Sequence, residues 1–231
     1  MTPIKYVLLS VFFISLFAVN KAHSQRIQGA VCAGMNLSQV DGDEIYGFYK
    51  AGFNVGPSAI IPFGKNKKFS VNLELLYSQK GSYQAVGPSD TTGAPQPYYR
   101  LQLNYVEIPA FVKFTDKHFI SGGLGFSYGQ LVGVKEIEHD SVTPTSLQGP
   151  YSLADFQMLA DVQVRVWQRL WFNLRYSYTL IPIRNRHYSR PIPNGTEEWD
   201  RNQYNNVIAF RLIYVFNQEL PSKAKKKKNE D

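Results

Sequence analysis

One cysteine in 231 residues, Cys32, leaves no internal disulfide to form, which excludes a small secreted domain held by bridges. Long apolar runs are equally scarce. The stretch from Tyr6 to Val19 is too short to span a bilayer as a helix, and nothing after it approaches the roughly 18 uncharged apolar residues such a helix needs. Histidine is sparse, and His118, His139 and His187 fall in different connections, so no metal site is expected. Asp41-Gly42-Asp43-Glu44 lacks the spacing of an EF-hand loop and reads as a turn. No G-x-S-x-G turn accompanies His139-Asp140-Ser141, or His187 with Ser189, so these side chains read as polar loop composition; no catalysis and no cofactor are expected.

The formal charge of +7 also lacks a clustered basic face. Lys5 and Lys21 sit near the N-terminus, and Lys223 with Lys225 to Lys228 in a terminal tail. Setting these lysines aside with Glu219, Glu230 and Asp231 leaves a charge of about +3 on the rest, which argues against a nucleic-acid partner. Lys5, the apolar run and Ala22-His23-Ser24 read as a signal peptide over 1–24, cut before Gln25. Cys32 does not follow that cut, so a lipid anchor is not expected. The remainder reads as one domain over 25–217 and a basic periplasmic tail over 218–231, a disordered solubilising end or a contact for anionic headgroups or an anionic periplasmic partner.

What is abundant is alternation of apolar and polar residues. Eight strands are expected, over 27–37, 50–63, 69–81, 99–114, 119–132, 155–167, 170–181 and 204–216. In the fourth, Leu101, Leu103 and Tyr105 share one face, after which Ile108, Ala110, Val112 and Phe114 share the other; this change of phase predicts a β-bulge near Tyr105-Val106. In the fifth, Ser121, Gly123, Gly125, Ser127 and Gly129 form a row of small residues. Connections 64–68, 115–118 and 168–169 are short, whereas 38–47, 82–98, 133–154 and 184–202 are long. Short turns at one end and long loops at the other predict an all-β, eight-stranded antiparallel up-and-down transmembrane barrel with both termini periplasmic.

A soluble barrel of lipocalin type would share the alternation. Two features favour lipid on the apolar face. Aromatic residues gather at strand ends, with Tyr77, Tyr99, Tyr128, Phe156, Tyr178 and Tyr204 towards the long loops and Phe69, Phe114, Phe172, Tyr214 and Phe216 towards the short turns, the placement of interfacial girdles. The opposite face carries Glu74, Glu107, Lys113, Asp161, Arg165, Arg175 and Arg211, expected to pair with one another in a narrow lumen as an ionic network rather than an active site. The last strand, ending on Phe216, is the segment expected to engage barrel-assembly machinery.

The stretches AGMNLSQVDGDEIYGFYKAGFNVG (33–56), LELLYSQKGS (73–82), LNYVEIPAFVKF (103–114), GGLGFSYG (122–129), LRYSYTLIPIR (174–184) and RNQYNNVIAFRLIYVF (201–216) resemble the PorT-like outer-membrane β-barrel family of Bacteroidota. YSQKG and NYVEIP are the most specific. The resemblance spans nearly all of the chain after the signal, and implies an eight-stranded barrel in a Gram-negative outer membrane with outer-membrane lipid as its surroundings. The namesake is associated with protein export through the type IX secretion and gliding machinery, and the family brings no catalytic motif. The chain is therefore expected to be a scaffold or loop-mediated binder, with an export accessory and a narrow porin for very small solutes as alternatives. Tyr83, Tyr98, Tyr151, His187, Tyr188 and Trp199 give the long loops aromatic groups suited to gripping an extracellular protein or glycan, or to packing on each other as a lid.

Overall fold

The computed structural model describes residues 27–64, 66–85, 98–116, 119–138, 141–143, 147–193 and 195–217. The expected signal peptide and basic tail, His118, His139, Asp140 and the middle of the second long connection lie outside them. Among the described residues there is no helix, and eleven strands follow one another: β1 (Gln28–Asp41), β2 (Lys50–Phe63), β3 (Phe69–Glu74), β4 (Leu76–Gln84), β5 (Tyr99–Asp116), β6 (Ile120–Glu138), β7 (Ser141–Thr143), β8 (Ala154–Trp167), β9 (Leu170–Thr179), β10 (Arg184–Ile192) and β11 (Gly195–Val215).

Eight staves close a ring. β1 pairs with β2, β2 with both β3 and β4, these with β5, then β5 with β6, β6 with β8, β8 with β9, β9 with β11, and β11 returns to β1. Every pairing is antiparallel, so the fold is an eight-stranded up-and-down barrel. β3 and β4 form one stave interrupted at Leu75, whose N–H donates to the Pro57 carbonyl at 3.0 Å. Closure satisfies the strand edges, the condition for a sheet surrounded by lipid.

The side chains alternate as the sequence pattern requires, with an outer band of Val, Leu, Ile, Phe and Tyr exposed along β1, β5, β6, β8, β9 and β11. Aromatic rings meet between staves at both rims of this band. Towards the long connections Phe53 packs on Tyr77, Tyr128 on Phe156 and Tyr178 on Tyr204, and towards the short turns Phe63, Phe69 and Phe114 form a run and Tyr214 meets Phe216. Phe172 lies outward near the same short-turn rim. Tyr99 is a correction: it points inward, 4% exposed, and its hydroxyl donates to Glu136.

The small row on β6 has a volumetric cause. Gly123 lies opposite Lys113 and Gly125 opposite Phe111, and a Cβ at either would fall within 2.6 to 2.9 Å of those side chains. Small residues on one stave make room for large ones on the next.

Two further expectations are corrected. The bulge near Tyr105-Val106 is not in β5, which alternates without a break from Tyr99 to Phe114. The register shifts between Asn104 and Tyr105 because the partner strand β6 carries the extra residue, Val132, between Leu131 and Gly133. The change of phase has another origin, described below. Secondly, 184–202 is not a loop: β10 pairs with the first part of β11 from Arg184↔Gln203 to Ile192↔Gly195, a hairpin rising from the end of the barrel.

Candidate functional site

The lumen is filled in layers. Near the short-turn end Ala30, Cys32, Trp171, Ile213 and Val215 pack with Leu76 as an apolar floor. Arg165 sits there, its guanidinium 4.8 Å from the centre of the Trp171 ring. Arg165 therefore departs from the expected network, and no acidic side chain lies within ion-pair distance of it among the described residues.

The middle layer is ionic. Arg175 donates to Glu74 at 2.9 Å, Arg211 donates to the other Glu74 oxygen at 2.9 Å, and Lys113 donates to Asp161 at 2.7 Å. Arg175 also reaches Asp161 at 3.3 Å, and the Arg211 fork closes on the Asn173 carbonyl oxygen at 2.6 and 2.9 Å. Five of the seven expected residues thus meet. Glu107 belongs to a second cluster that sequence reasoning missed, where it pairs with buried Lys80, which also reaches Asp155 at 3.3 Å. Asp155 accepts from Thr179 at 2.8 Å, from Asn205 at 2.9 Å and from Gln157. Lys80 and Asp155 were legible as polar-face residues of their strands, and their opposite signs were the signal. Each buried charge has a counter-charge or a hydrogen bond, as an interior of low polarity demands. The cavity left between the two clusters measures about 20 Å³, the space of a single water.

Above the ions the interior turns apolar again. Val40, Tyr99, Leu101, Leu103, Tyr105, Leu131, Tyr151 and Ile183 form a buried plug. On β5 this is where the phase changes: Leu101, Leu103 and Tyr105 point inward while Arg100, Gln102 and Asn104 point outward. Below Tyr105 the outward residues are Val106, Ile108, Ala110, Val112 and Phe114. The strand keeps its period and exchanges its solvent.

The plug is capped by charge. Glu136 accepts from the Tyr99 hydroxyl at 2.9 Å and from Arg184 at 3.1 Å, Arg184 donates to the Tyr151 hydroxyl at 2.7 Å, and Arg186 donates to Glu138 at 3.1 Å. Burial, with the Glu136 carboxylate beside it, pushes the Tyr151 hydroxyl well up. Tyr151 is thus part of the plug, 4% exposed, rather than a loop residue free to grip a partner.

The other aromatic candidates pair off. Tyr188 and Trp199 stack with centres 5.8 Å apart, and Tyr83 and Tyr98 meet edge to face at 6.0 Å. His187 is exposed on β10, with Nδ1 2.8 Å from Asp200 and Nε2 3.8 Å from Glu198. Among the described residues no hydrogen bond joins Ser189 to His187. The 41–49 connection braces the hairpin: Tyr188 donates to the Gly42 carbonyl at 3.2 Å and Trp199 to Glu44 at 3.3 Å. It presents Tyr46 and Tyr49, 82% and 71% exposed, which sequence reasoning missed although the run Tyr46-Gly47-Phe48-Tyr49 marks them. Within it Asp43 is buried, its Oδ1 accepting the Ile45 N–H at 2.9 Å; burial pushes its carboxyl up to about 6.

A family model described as "Outer membrane protein beta-barrel domain" matches residues 20–185. Among solved structures, the chain is similar to Ail, the attachment invasion locus protein of Yersinia pestis, at 14% identity and a TM-score of 0.45, over 82% of this chain and 98% of that one. Neisserial surface protein A is similar at 13% identity and a TM-score of 0.44, over 82% and 96%, and a major outer membrane protein of Thermus thermophilus at 10% and 0.43, over 83% and 100%. No curated protein matches. The structural likenesses bring no activity with them.

Proposed function

This chain belongs to the outer membrane protein β-barrel domain family, and from that premise we propose an integral outer-membrane scaffold or binder of an extracellular protein or glycan, working through its long-loop end and without catalysis. The observation that carries this reading is the filled lumen. Apolar layers at both ends and an ionic layer between them occupy the lumen, the cavity between the two ionic clusters measuring about 20 Å³, so recognition falls to the surface beyond the plug. There the exposed Tyr46 and Tyr49 and the braced β10–β11 hairpin offer rigid aromatic and charged groups. The alternation of short and long connections around an even number of staves supports periplasmic termini and long loops outside the cell.

The test combines access with independence from the lumen. A cysteine at Thr196 on the hairpin should react with a membrane-impermeant maleimide on intact cells, and failure to label would overturn the topology. Glu107→Gln should lower the heat resistance of the barrel while leaving capture of the extracellular ligand intact. Loss of capture by a barrel that keeps its heat resistance would move the working site into the lumen. Planar-bilayer recordings should give no steady conductance, and a conducting pore would restore the porin reading.

PorT-like membership within Bacteroidota is part of the same proposal, and it supports a second reading, an accessory of protein export. Its two most specific segments, 77–81 and 104–109, lie side by side on β4 and β5, and Lys80 of one pairs with Glu107 of the other. A secretome unchanged by gene deletion would remove the export reading.

A further inference from the structure

We propose that the outer face of β4, β5 and β6 above the upper aromatic ring binds the phosphorylated sugar headgroup of the glycolipid in the outer leaflet of the outer membrane. The inference rests on the long loops facing outward. On β5 the outward side chains pass from Ile108 and Val106 to Asn104, Gln102 and Arg100, so lipid gives way to polar surroundings within one step. The register sets Asn104 beside Gln79 of β4, and Gln102 beside Lys135 of β6. Gln130 accepts from the Tyr128 hydroxyl at 2.8 Å, which fixes the lower boundary of the patch at the aromatic ring.

Charge gives the patch its sign. Arg100 and Lys135 are exposed and have no ion-pair partner among the described residues. The acids of this part of β6, Glu136 and Glu138, point the other way and are held by Arg184 and Arg186. Across the ring, β1 ends instead on an acid, Asp41, which accepts from Gln39 at 2.6 Å and from Asn206 at 3.2 Å. The β5–β6 side therefore presents unpaired positive charge to an anionic headgroup where the β1 side presents a carboxylate.

Height and donor type select the lipid. Asn104, Gln102 and Arg100 lie roughly 7, 13 and 20 Å along the strand beyond Val106, or about 5, 10 and 15 Å in height for a strand tilted by about 40°. A phospholipid headgroup layer is about 5 to 8 Å deep, so the patch outreaches it. A headgroup of linked sugars spans that height, its phosphates meeting Arg100 and Lys135 by charge-assisted hydrogen bonds and its hydroxyls meeting the amides.

The test uses the full-length barrel in phosphatidylcholine nanodiscs containing bis-phosphorylated lipid A, dephosphorylated lipid A or phosphatidylglycerol at equal mole fraction, with bound lipid counted by native mass spectrometry. Phosphorylated lipid A should be retained preferentially, and Arg100→Gln with Lys135→Gln should reduce its retention roughly tenfold. Asp41→Asn on the opposite rim should leave retention unchanged, and Arg100→Lys should restore most of it. Heat modifiability verifies that each variant is folded. Equal retention of dephosphorylated lipid A, equal retention of phosphatidylglycerol, or indifference to the double substitution would each overturn the proposal. Thr196 labelling on intact cells separates this from an error of topology: a hairpin unreachable from outside would refute the orientation, and with it the outer-leaflet assignment, even where lipid A binds in nanodiscs.

Discussion

The lower and upper parts of β5 obey the same alternation and opposite rules. From Val106 to Phe114 the outward residues are all apolar while Glu107 and Lys113 face in with Phe111, whereas from Tyr99 to Tyr105 the inward residues are all apolar and Arg100, Gln102 and Asn104 face out. A stave in lipid has its apolar solvent outside and its polar groups inside; one that continues into water needs a core and reverses. The lesson is that the inversion, not an irregularity of the backbone, marks where the membrane ends. The interiors of the two regions differ accordingly, with a layer of paired charges above an apolar floor in the lower one and an apolar plug under a charged cap in the upper.

The sharpest way to break this contrast is to strike the lower region at its hub. Glu74→Gln leaves Arg175 and Arg211 with diminished compensation in a dry interior, and should cost about 3 to 5 kcal/mol. Urea unfolding of the purified barrel in detergent measures it, and a loss below about 1 kcal/mol would mean the charges are solvated. In the upper region Leu101→Ala should cost about 2 to 5 kcal/mol by leaving a cavity in the plug. Hydrogen exchange should quicken in 99–105 and 184–203 and remain slow in 106–114; uniform quickening would show a single cooperative unit rather than two.

The third prediction sharpens the comparison through pH. Asp43 rises from the ordinary 3.8 to about 6 in the folded protein because it is buried, and its Oδ2 has no hydrogen-bond partner, leaving room for a proton. The folded form holds that proton more tightly than the unfolded form. Its contribution is thus fully present below about 4 and lost as pH rises through about 6, a span of about 3 kcal/mol at most. Once exchange is divided by its intrinsic pH-dependent rate, protection in 42–49 should be greater at pH 4 than at pH 7, and Asp43→Asn should abolish that difference in protection.

The barrel itself was legible because a period of two runs along the staves, broken on β6 only at Val132, and the girdle pairs, Tyr99 apart, followed from residue type and strand end. The ionic hub was legible in part: opposite charges on polar faces named Glu74, Lys113, Asp161, Arg175 and Arg211, but not which acid met which base, since that depends on stagger between distant staves. Arg165 was misplaced because alternation gives the face and not the depth. Lys80 was passed over although it shares the polar face of its strand with Ser78. The fourth long connection hid a hairpin behind its Pro and Gly content, while the run Pro193-Asn194-Gly195 between alternating segments was the local sign of a turn. Tyr151 illustrates the remaining limit, since loop composition does not distinguish an aromatic ring that roofs a core from one that meets a partner.

The seam between the first and last strands has a consequence for assembly. Arg211 of β11 lies opposite Gly34 of β1, where a Cβ would run into the Phe210 carbonyl oxygen and come within 2.7 Å of the Arg211 side chain. Only a strand without a side chain at that point can zip past the guanidinium, and once it has done so Arg211 is sealed against Glu74. A half-zipped barrel would leave that cation stranded at an open flank beside hydrocarbon. Closure therefore works as a latch: the chain gains its ionic interior and loses its last free edge in the same event, which disfavours any lingering, partly open intermediate.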